Sequence, residues 1–338
     1  MITRRMLPEI SFFESILCFF VVMIHILSES IDAYAPGTVP SIVLFSVSRL
    51  LTFAVPGFVI SAGIKFAHKF EYTPFRYFDF VKGRILKIFV PYVFCAVLYY
   101  LYFAFRHQYY DFSFVGLIGT IFEGSIAAPF YFIIFIMQIY ILSPIMLMFY
   151  KSFPSFFGVA LAFVITFASM YLTKELPYSN RIFLNYFLYW TVGCYIGVDF
   201  RNKIMKLSGK KHLMLVLGII LTVFYVIFSY LQFLEVYSSF VNDVIKVAYC
   251  TAVSLTYLSY MPKTVGYFAE EFSSATFYVF LIHCLAIFEI QHILNIFSIT
   301  SIPLRLTIEI FFTYIVSILL AYGYVFLKKK VFGTKTDF

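Results

Sequence analysis

Long runs of apolar residues recur along this chain, and they constrain its fold more than any other feature. A run of about 20 such residues can cross the roughly 30 Å hydrocarbon core of a bilayer as a helix. The 338 residues are 62% hydrophobic and include 46 Phe and 28 Tyr, more apolar surface than a soluble fold of this length could bury. Within hydrocarbon only helices and closed barrels satisfy the backbone polar groups. We therefore predict an all-α, polytopic membrane protein embedded in the lipid bilayer.

Ten transmembrane helices are predicted from these runs. No internal repeat or separate soluble segment interrupts them, so a single integral membrane domain covering 1–338 is expected, as a multi-pass protein of the plasma membrane. The predicted spans are 10–30, 41–64, 85–105, 129–149, 154–173, 182–199, 212–234, 240–261, 272–294 and 304–327.

The net charge of +8 predicts topology rather than a nucleic-acid partner. All but six of the 25 lysines and arginines fall in segments on the side of the two termini. Such an imbalance in short loops marks the cytoplasmic side, so both termini are predicted to be cytoplasmic. The six exceptions lie in outer segments (Arg106, Lys174, Arg181 and Arg305) or inside spans (Arg49 and Lys246).

Two further features of the sequence exclude common alternatives. The first run follows Arg4 and Arg5 but lacks a small-residue cleavage pattern behind it, so no cleavable signal peptide is expected. The cysteines lie inside apolar runs without paired spacing, which predicts free buried thiols and neither disulfides nor a metal site. They are Cys18, Cys95, Cys194, Cys250 and Cys284.

A single histidine, His25, lies inside the first apolar run. An ionisable group at membrane depth is costly and is functional by default, although a structural pairing is the alternative. Glu14 lies eleven residues earlier, within roughly 20° of the same helix face but about 16 Å away along the axis. Glu14 is therefore too distant to contact His25 directly.

Several other ionisable groups fall at similar depths in different spans. Counting the helical rise places His25, Arg49, Lys246, Glu289 and Glu309 in the outer half of the membrane and His283 near its middle. One polar cavity that opens outward would satisfy them together. The alternative is that each of them snorkels or pairs locally for structural reasons.

Two basic residues begin the third span from the cytoplasm. Arg84 and Lys87 are three positions apart and would share a face of an α-helix. Guanidinium and ammonium groups both bind phosphate, so the pair suits a phosphate-rich ligand. A plain anchor on anionic lipid is the alternative.

These residues lie within segments that resemble the acyltransferase 3 family of integral membrane acyltransferases almost from end to end. The first run up to His25 is similar to the family's opening helix, and Arg84-Ile85-Leu86-Lys87 resembles its Arg-x-x-Arg step with lysine in the second basic place. The other matching segments are Arg49 with Ala54-Val55-Pro56-Gly57-Phe58-Val59-Ile60-Ser61-Ala62-Gly63, Pro129 to Pro144, and Ser273 to His283, which includes Tyr278.

The resemblance implies transfer of an acyl group, acetyl or succinyl in type, from cytoplasmic acyl-CoA to a carbohydrate hydroxyl at the cell surface. It implies that His25 is the general base, and that Arg84 and Lys87 hold the donor phosphates. Arg49, Tyr278 and His283 would shape the acceptor or thioester site. No cofactor is expected to stay bound, and the glycan synthesis machinery is an expected partner.

One position departs from the family pattern. The family has arginine where this chain has Glu14, and a carboxylate cannot replace a cation that contacts a negative donor. Either Glu14 pairs with Arg84 or Arg49, or the donor is held differently. Two other functions remain open on sequence alone: a transporter of a glycan or small acid, and a sensor or scaffold without activity.

Overall fold

The computed structural model describes residues 7–106, 112–236, 239–262, 264 and 267–332, and these residues form helices and connecting turns without a β-strand. This confirms the all-α prediction. Arg4, Arg5 and the chain ends that were predicted to be cytoplasmic lie outside the described residues. The α-helices are α1 Pro8–Asp32, α2 Val39–Leu51, α3 Ala54–Tyr72, α4 Tyr77–Arg84, α5 Val90–Phe105, α6 Phe114–Glu123, α7 Tyr131–Ile141, α8 Ser143–Ser152, α9 Ser155–Thr173, α10 Phe187–Gly197, α11 Phe200–Gly209, α12 Lys211–Phe233, α13 Ser239–Tyr260, α14 Tyr267–Ile296 and α15 Ile302–Phe332.

Seven helical segments among the described residues are long and apolar enough to cross a membrane. The number rises to eight if the bent pair Phe114–Glu123 and Ala128–Ile141, which turns by 59°, counts as one span. Helices overlap all ten predicted spans, but three of these spans are not among the seven segments. The span 129–149 is divided between α7 and α8, 182–199 contains one α-helix, α10, which is too short to cross as a straight helix, and 240–261 contains α13. The seven segments are Pro8–Asp32, Val39–Tyr72, Tyr77–Phe105, Ser155–Thr173, Lys211–Phe233, Glu271–Ile296 and Ile302–Lys328.

The chain divides into two compact units. The first comprises residues 1–54 and 208–338, and the second comprises residues 55–207. In the first unit α12 packs on α13, α14 packs on α15, and α1 contacts α2, α14 and α15. The unit thus consists of helical hairpins assembled around the first helix.

Close backbone contact joins α3 and α10 within the second unit. A Cβ added at Gly63 would lie 2.5 Å from the Trp190 carbonyl oxygen, and one added at Gly193 would overlap the Ile60 carbonyl oxygen. Gly197 approaches Ile64 in the same way. Because lipid offers no hydrophobic drive for helix association, small residues that allow such approach are common at membrane helix interfaces.

We expect Gly193→Ala to destabilise the protein, because the added methyl group would force α3 and α10 apart. Overpacking of this kind costs about 1–3 kcal/mol. The matched control is Gly323→Ala in α15, where a Cβ would meet nothing within 4 Å. Thermal denaturation of both purified variants should show a lower melting temperature for Gly193→Ala alone. Equal melting temperatures would contradict the packing described here.

Candidate functional site

Two histidines from different helices meet inside the first unit. The imidazole rings of His25, on α1, and His283, on α14, have centres 5.3 Å apart and are tilted by 41°. His283 is completely buried, whereas His25 is partly accessible. The structure therefore brings together two of the residues that the sequence predicted for the site, although they are 258 positions apart in the chain.

The two helices that carry these histidines run parallel and in register. The Cys18 thiol donates a hydrogen bond of 3.4 Å to the Thr276 carbonyl oxygen, and this pair has the same separation in sequence as His25 and His283. Both contacts join residues 258 positions apart, and the contacts lie seven residues apart on each helix. The two helices therefore run in the same direction with a fixed register. Seven residues are close to two helical turns, so the same faces meet again at the histidines.

A third helix braces α1 beside this contact. The Tyr314 hydroxyl of α15 donates a 2.7 Å hydrogen bond to the Phe19 carbonyl oxygen. The Phe19 ring also stacks on Phe272 of α14, with centres 5.2 Å apart. Helices α14 and α15 thus both contact the segment of α1 that carries His25.

The local contacts of His283 define which of its nitrogens has a free lone pair. Its Nδ1 lies 3.2 Å from the Val279 carbonyl oxygen, four residues earlier on α14. A carbonyl oxygen can only accept, so this contact requires hydrogen on Nδ1. In the neutral ring Nε2 then carries the lone pair. The Cys284 sulfur lies 3.4 Å from that Nε2, where the thiol can donate to it.

Cys284 is a residue of this site that the sequence did not single out. All five cysteines are free and buried, as predicted. Cys284 differs from the others because its sulfur and one ring nitrogen each of His25 and His283 lie within 4.8 Å of one another. The adjacency of His283 and Cys284 was the only signal in the sequence, and the third member comes from another helix.

Arg49 lies on α2 with its guanidinium carbon 4.6 Å from the centre of the Phe45 ring. Its Nε is buried and has no hydrogen-bond partner among the described residues. This nitrogen donor therefore remains available for a ligand. Glu309 is another group predicted in the outer half of the membrane. It forms an ion pair of 4.0 Å with Arg305, one turn earlier on α15. This agrees with the alternative prediction, in which such groups pair locally.

Tyr278 lies on α14 five residues before His283. Five helical steps of about 100° place it roughly 140° around the helix from His283. Its hydroxyl accepts a 3.0 Å hydrogen bond from the Lys328 ammonium, and its ring lies 4.5 Å from that of Tyr324. The structure thus directs the Tyr278 hydroxyl to the lysine-bearing end of α15, away from the histidine pair.

Glu14 is half-buried on α1. One uninterrupted helix, Pro8–Asp32, carries Glu14 and His25, so the predicted separation of about three turns stands. The Glu14 carboxylate and the His25 imidazole are therefore too far apart to contact each other.

In the second unit Arg84 ends α4 against two aromatic rings. Its guanidinium carbon lies 4.7 Å from the centre of the Tyr140 ring and 5.1 Å from that of Phe80. Lys87 is exposed and belongs to a π-helical turn, Ile85–Phe89. A π-turn has more residues per turn than an α-helix, which changes the geometry on which the predicted shared face relied. Stacking still leaves the edge of the guanidinium able to donate hydrogen bonds.

A cavity of about 370 Å³ opens elsewhere in the second unit. Glu71 accepts the Asp199 backbone N–H at 3.2 Å, and the Lys203 ammonium donates to the Tyr195 carbonyl oxygen. Burial lowers the pKa of Lys203, while Asp199 and Glu71 oppose that shift. The lining residues are Phe70, Glu71, Tyr150, Lys151, Tyr195, Val198 and Lys203.

Arg181 is a half-buried cation that was predicted only to lie in an outer segment. Its guanidinium carbon lies 3.8 Å from the centre of the Tyr178 ring. Its Nε and one terminal nitrogen are buried without a hydrogen-bond partner in the described part of the chain. The Gln138 amide fixes this segment by donating to the Arg181 carbonyl oxygen at 2.9 Å.

Comparison with known proteins gives one match. A family model described as an acyltransferase domain matches residues 8–324, which include both histidines and the Arg84 turn. Searches of curated proteins and of solved structures give no match.

We expect nitrogen NMR of ¹⁵N-histidine-labelled protein to show His283 protonated on Nδ1, because the Val279 carbonyl oxygen accepts from that atom. The His283→Gln variant, which lacks this ring, assigns the signal. His212, which is exposed at the start of α12, provides the comparison with an exposed ring. A His283 signal with hydrogen on Nε2 alone would contradict the described contact.

Proposed function

The chain belongs to the acyltransferase family whose model matches it, and we propose that it transfers an acyl group from acyl-CoA to a carbohydrate hydroxyl. Membership makes it a membrane acyltransferase, which favours the enzyme over the transporter and the inactive scaffold considered from the sequence. The observation that carries the proposal is the contact of His25 with His283 inside an apolar helical unit. The identity of the acyl donor, the identity of the acceptor and the roles of the individual residues are also proposed.

In this mechanism His25 is the general base. One of its ring nitrogens takes the proton of the acceptor hydroxyl while the oxygen attacks the thioester carbonyl carbon. The new C–O bond forms as the C–S bond breaks, and the CoA sulfur leaves as a thiolate that takes the proton back from His25. A positioned base of this kind contributes about 10²–10⁴-fold to a rate. Its partial accessibility makes His25, rather than the buried His283, the ring that meets substrate.

His283 is proposed as the residue that positions His25. Its own Nδ1 is anchored to Val279, so its ring has a fixed orientation against which His25 packs. Arg49 is proposed to bind a negative or polar group of the acceptor or thioester, since its buried Nε lacks a described partner. Tyr278 is assigned no contact with the acceptor or the thioester, because its hydroxyl bonds Lys328 away from the histidine pair.

Arg84 and Lys87 are proposed to bind the phosphates of acyl-CoA, which acts as a co-substrate and not as a resident cofactor. The contacts of the Arg84 guanidinium with the Tyr140 and Phe80 rings hold it in place before a ligand binds. A π-turn within an α-helix is frequent at functional sites. Glu14 would repel phosphate, so we assign no phosphate contact to this residue despite its position in the family pattern.

The acceptor and acyl group are proposed from resemblance. Within the family the sequence looks most like the O-succinyltransferase of the intercellular-adhesin polysaccharide, which supports an acetyl or succinyl donor and an exported or cell-surface glycan. Glycan synthesis machinery would then be the partner, and the plasma membrane the location. The carbohydrate would then be acylated where it leaves the cell.

We also propose that the chain crosses the membrane ten times with both termini in the cytoplasm; the crossing at 182–199 then requires the helical turn Phe183–Tyr186 to extend α10. α13 is 22 residues long and pairs along its length with α12, which supports counting it as a span. The Thr256 hydroxyl of α13 donates to the Met214 carbonyl oxygen near the start of α12. Ser229 bonds Asn242 at the opposite end of the pair. The distribution of lysine and arginine supports the orientation.

We expect His25→Ala to reduce acylation of the cell-surface glycan by at least about 100-fold, since it removes the general base. Mass spectrometry of glycans from cells that express each variant measures the acyl content. The matched control is His212→Ala, which removes an exposed histidine. Both variants must reach the membrane in wild-type amounts. Unchanged acylation in His25→Ala would refute the assignment.

Arg84→Ala should raise the KM for acyl-CoA by about tenfold or more, because charge-assisted hydrogen bonds to phosphate are stronger than neutral ones. Lys82→Ala serves as the control, since Lys82 is an exposed cation of the same helix. The initial rate of CoA release by purified protein, measured against donor concentration, separates KM from kcat. A lower kcat with unchanged KM would show that Arg84 does not bind the donor.

A further inference from the structure

We propose that His25, His283 and Cys284 form a binding site for a single divalent transition-metal ion, with Zn²⁺ the preferred ion. The three side chains supply two nitrogens and one sulfur, one from each residue, within 4.8 Å of one another. Cys284 and His283 are both buried. Binding as such does not depend on the proposed acyl transfer, because it requires only these three ligand atoms.

The distances fit coordination with small side-chain movements. Zn²⁺ binds histidine nitrogen at about 2.0–2.1 Å and thiolate sulfur at about 2.3 Å in a tetrahedral arrangement, so its ligand atoms lie roughly 3.4–3.6 Å apart. The Cys284 sulfur and the His283 Nε2 are already 3.4 Å apart. The His25 nitrogen lies within 4.8 Å of both, so it must approach them by at most about 1.4 Å.

The surroundings of His283 resemble those of a metal ligand. A histidine that binds a metal through one nitrogen almost always donates its other N–H to a carbonyl or carboxylate, which fixes the ring and its tautomer. The Val279 carbonyl oxygen is in that position toward Nδ1, and Nε2 faces the cluster. This arrangement exists on α14 without any contribution from the ion.

The ligand set selects among ions. Thiolate and imidazole favour Zn²⁺, Cu and related transition metals, whereas Mg²⁺ and Ca²⁺ require oxygen ligands. Three protein ligands leave a fourth position for water or a substrate atom. Coordination releases the Cys284 thiol proton to solvent, so the affinity should fall as the pH is lowered.

A metal ion bound by His25, His283 and Cys284 would inhibit acyl transfer. The lone pair that His25 would use to take a hydroxyl proton is the one that it would give to the metal. Zn²⁺ should therefore inhibit the enzyme reversibly. This consequence rests on the proposed function, and its failure alone would leave metal binding intact.

The test is titration of purified, tag-free, full-length protein with Co²⁺, which replaces Zn²⁺ and has a visible spectrum. We expect about one ion per chain, a cobalt–thiolate charge-transfer band, and loss of the band when Zn²⁺ is added. Cys284→Ser should abolish the band, and His283→Gln should weaken binding at least about tenfold. Cys250→Ser is the matched control, because Cys250 is a buried cysteine of α13 in the same unit, and it should keep the band.

Two results would overturn the proposal. One is a wild-type protein that shows no charge-transfer band with excess Co²⁺. The other is a band that survives in Cys284→Ser or disappears in Cys250→Ser, which would assign the thiolate to a different residue. Since neither result involves an acyl donor, metal binding and acyl transfer can fail independently.

Discussion

The absence of water from the hydrocarbon core is the constraint on which the rest of this structure depends. It forces the backbone into helices, because each peptide group must find its partner within its own segment. It also makes every buried ionisable side chain expensive unless a neighbour compensates it. The contact of His25 with His283 and Cys284 is one such solution. There the polar groups of α1 and α14 face each other in a unit whose remaining contacts are largely apolar.

The register between α1 and α14 determines which of their side chains meet. Cys18 and Thr276 set the alignment of α1 and α14, and two turns later the same alignment brings the two histidines together. A slip of one residue would rotate His25 by about 100° and separate the rings. The hydrogen bond from Tyr314 and the stacking of Phe19 therefore support the geometry of the histidine pair.

In the second unit, basic residues lie beside apolar helices. Arg84 is stacked on Tyr140 and Phe80, and the π-turn that follows changes the direction of Lys87. The glycines of α3 and α10 permit backbone contact, where a larger residue would separate the helices. Close helix packing and aromatic contacts thus surround the basic residues of this unit.

The sequence by itself determined the helical class, the membrane setting, the family resemblance and the prominence of His25, because composition and hydropathy act through each segment separately. It also marked His283 and Arg84 through local patterns. Only the tertiary structure decided that His25 lies against His283 and Cys284, that the Tyr278 hydroxyl bonds Lys328, and that a π-turn follows Arg84. These features depend on the register between helices distant in sequence and on local deviations from ideal geometry, and no periodicity within one segment encodes them.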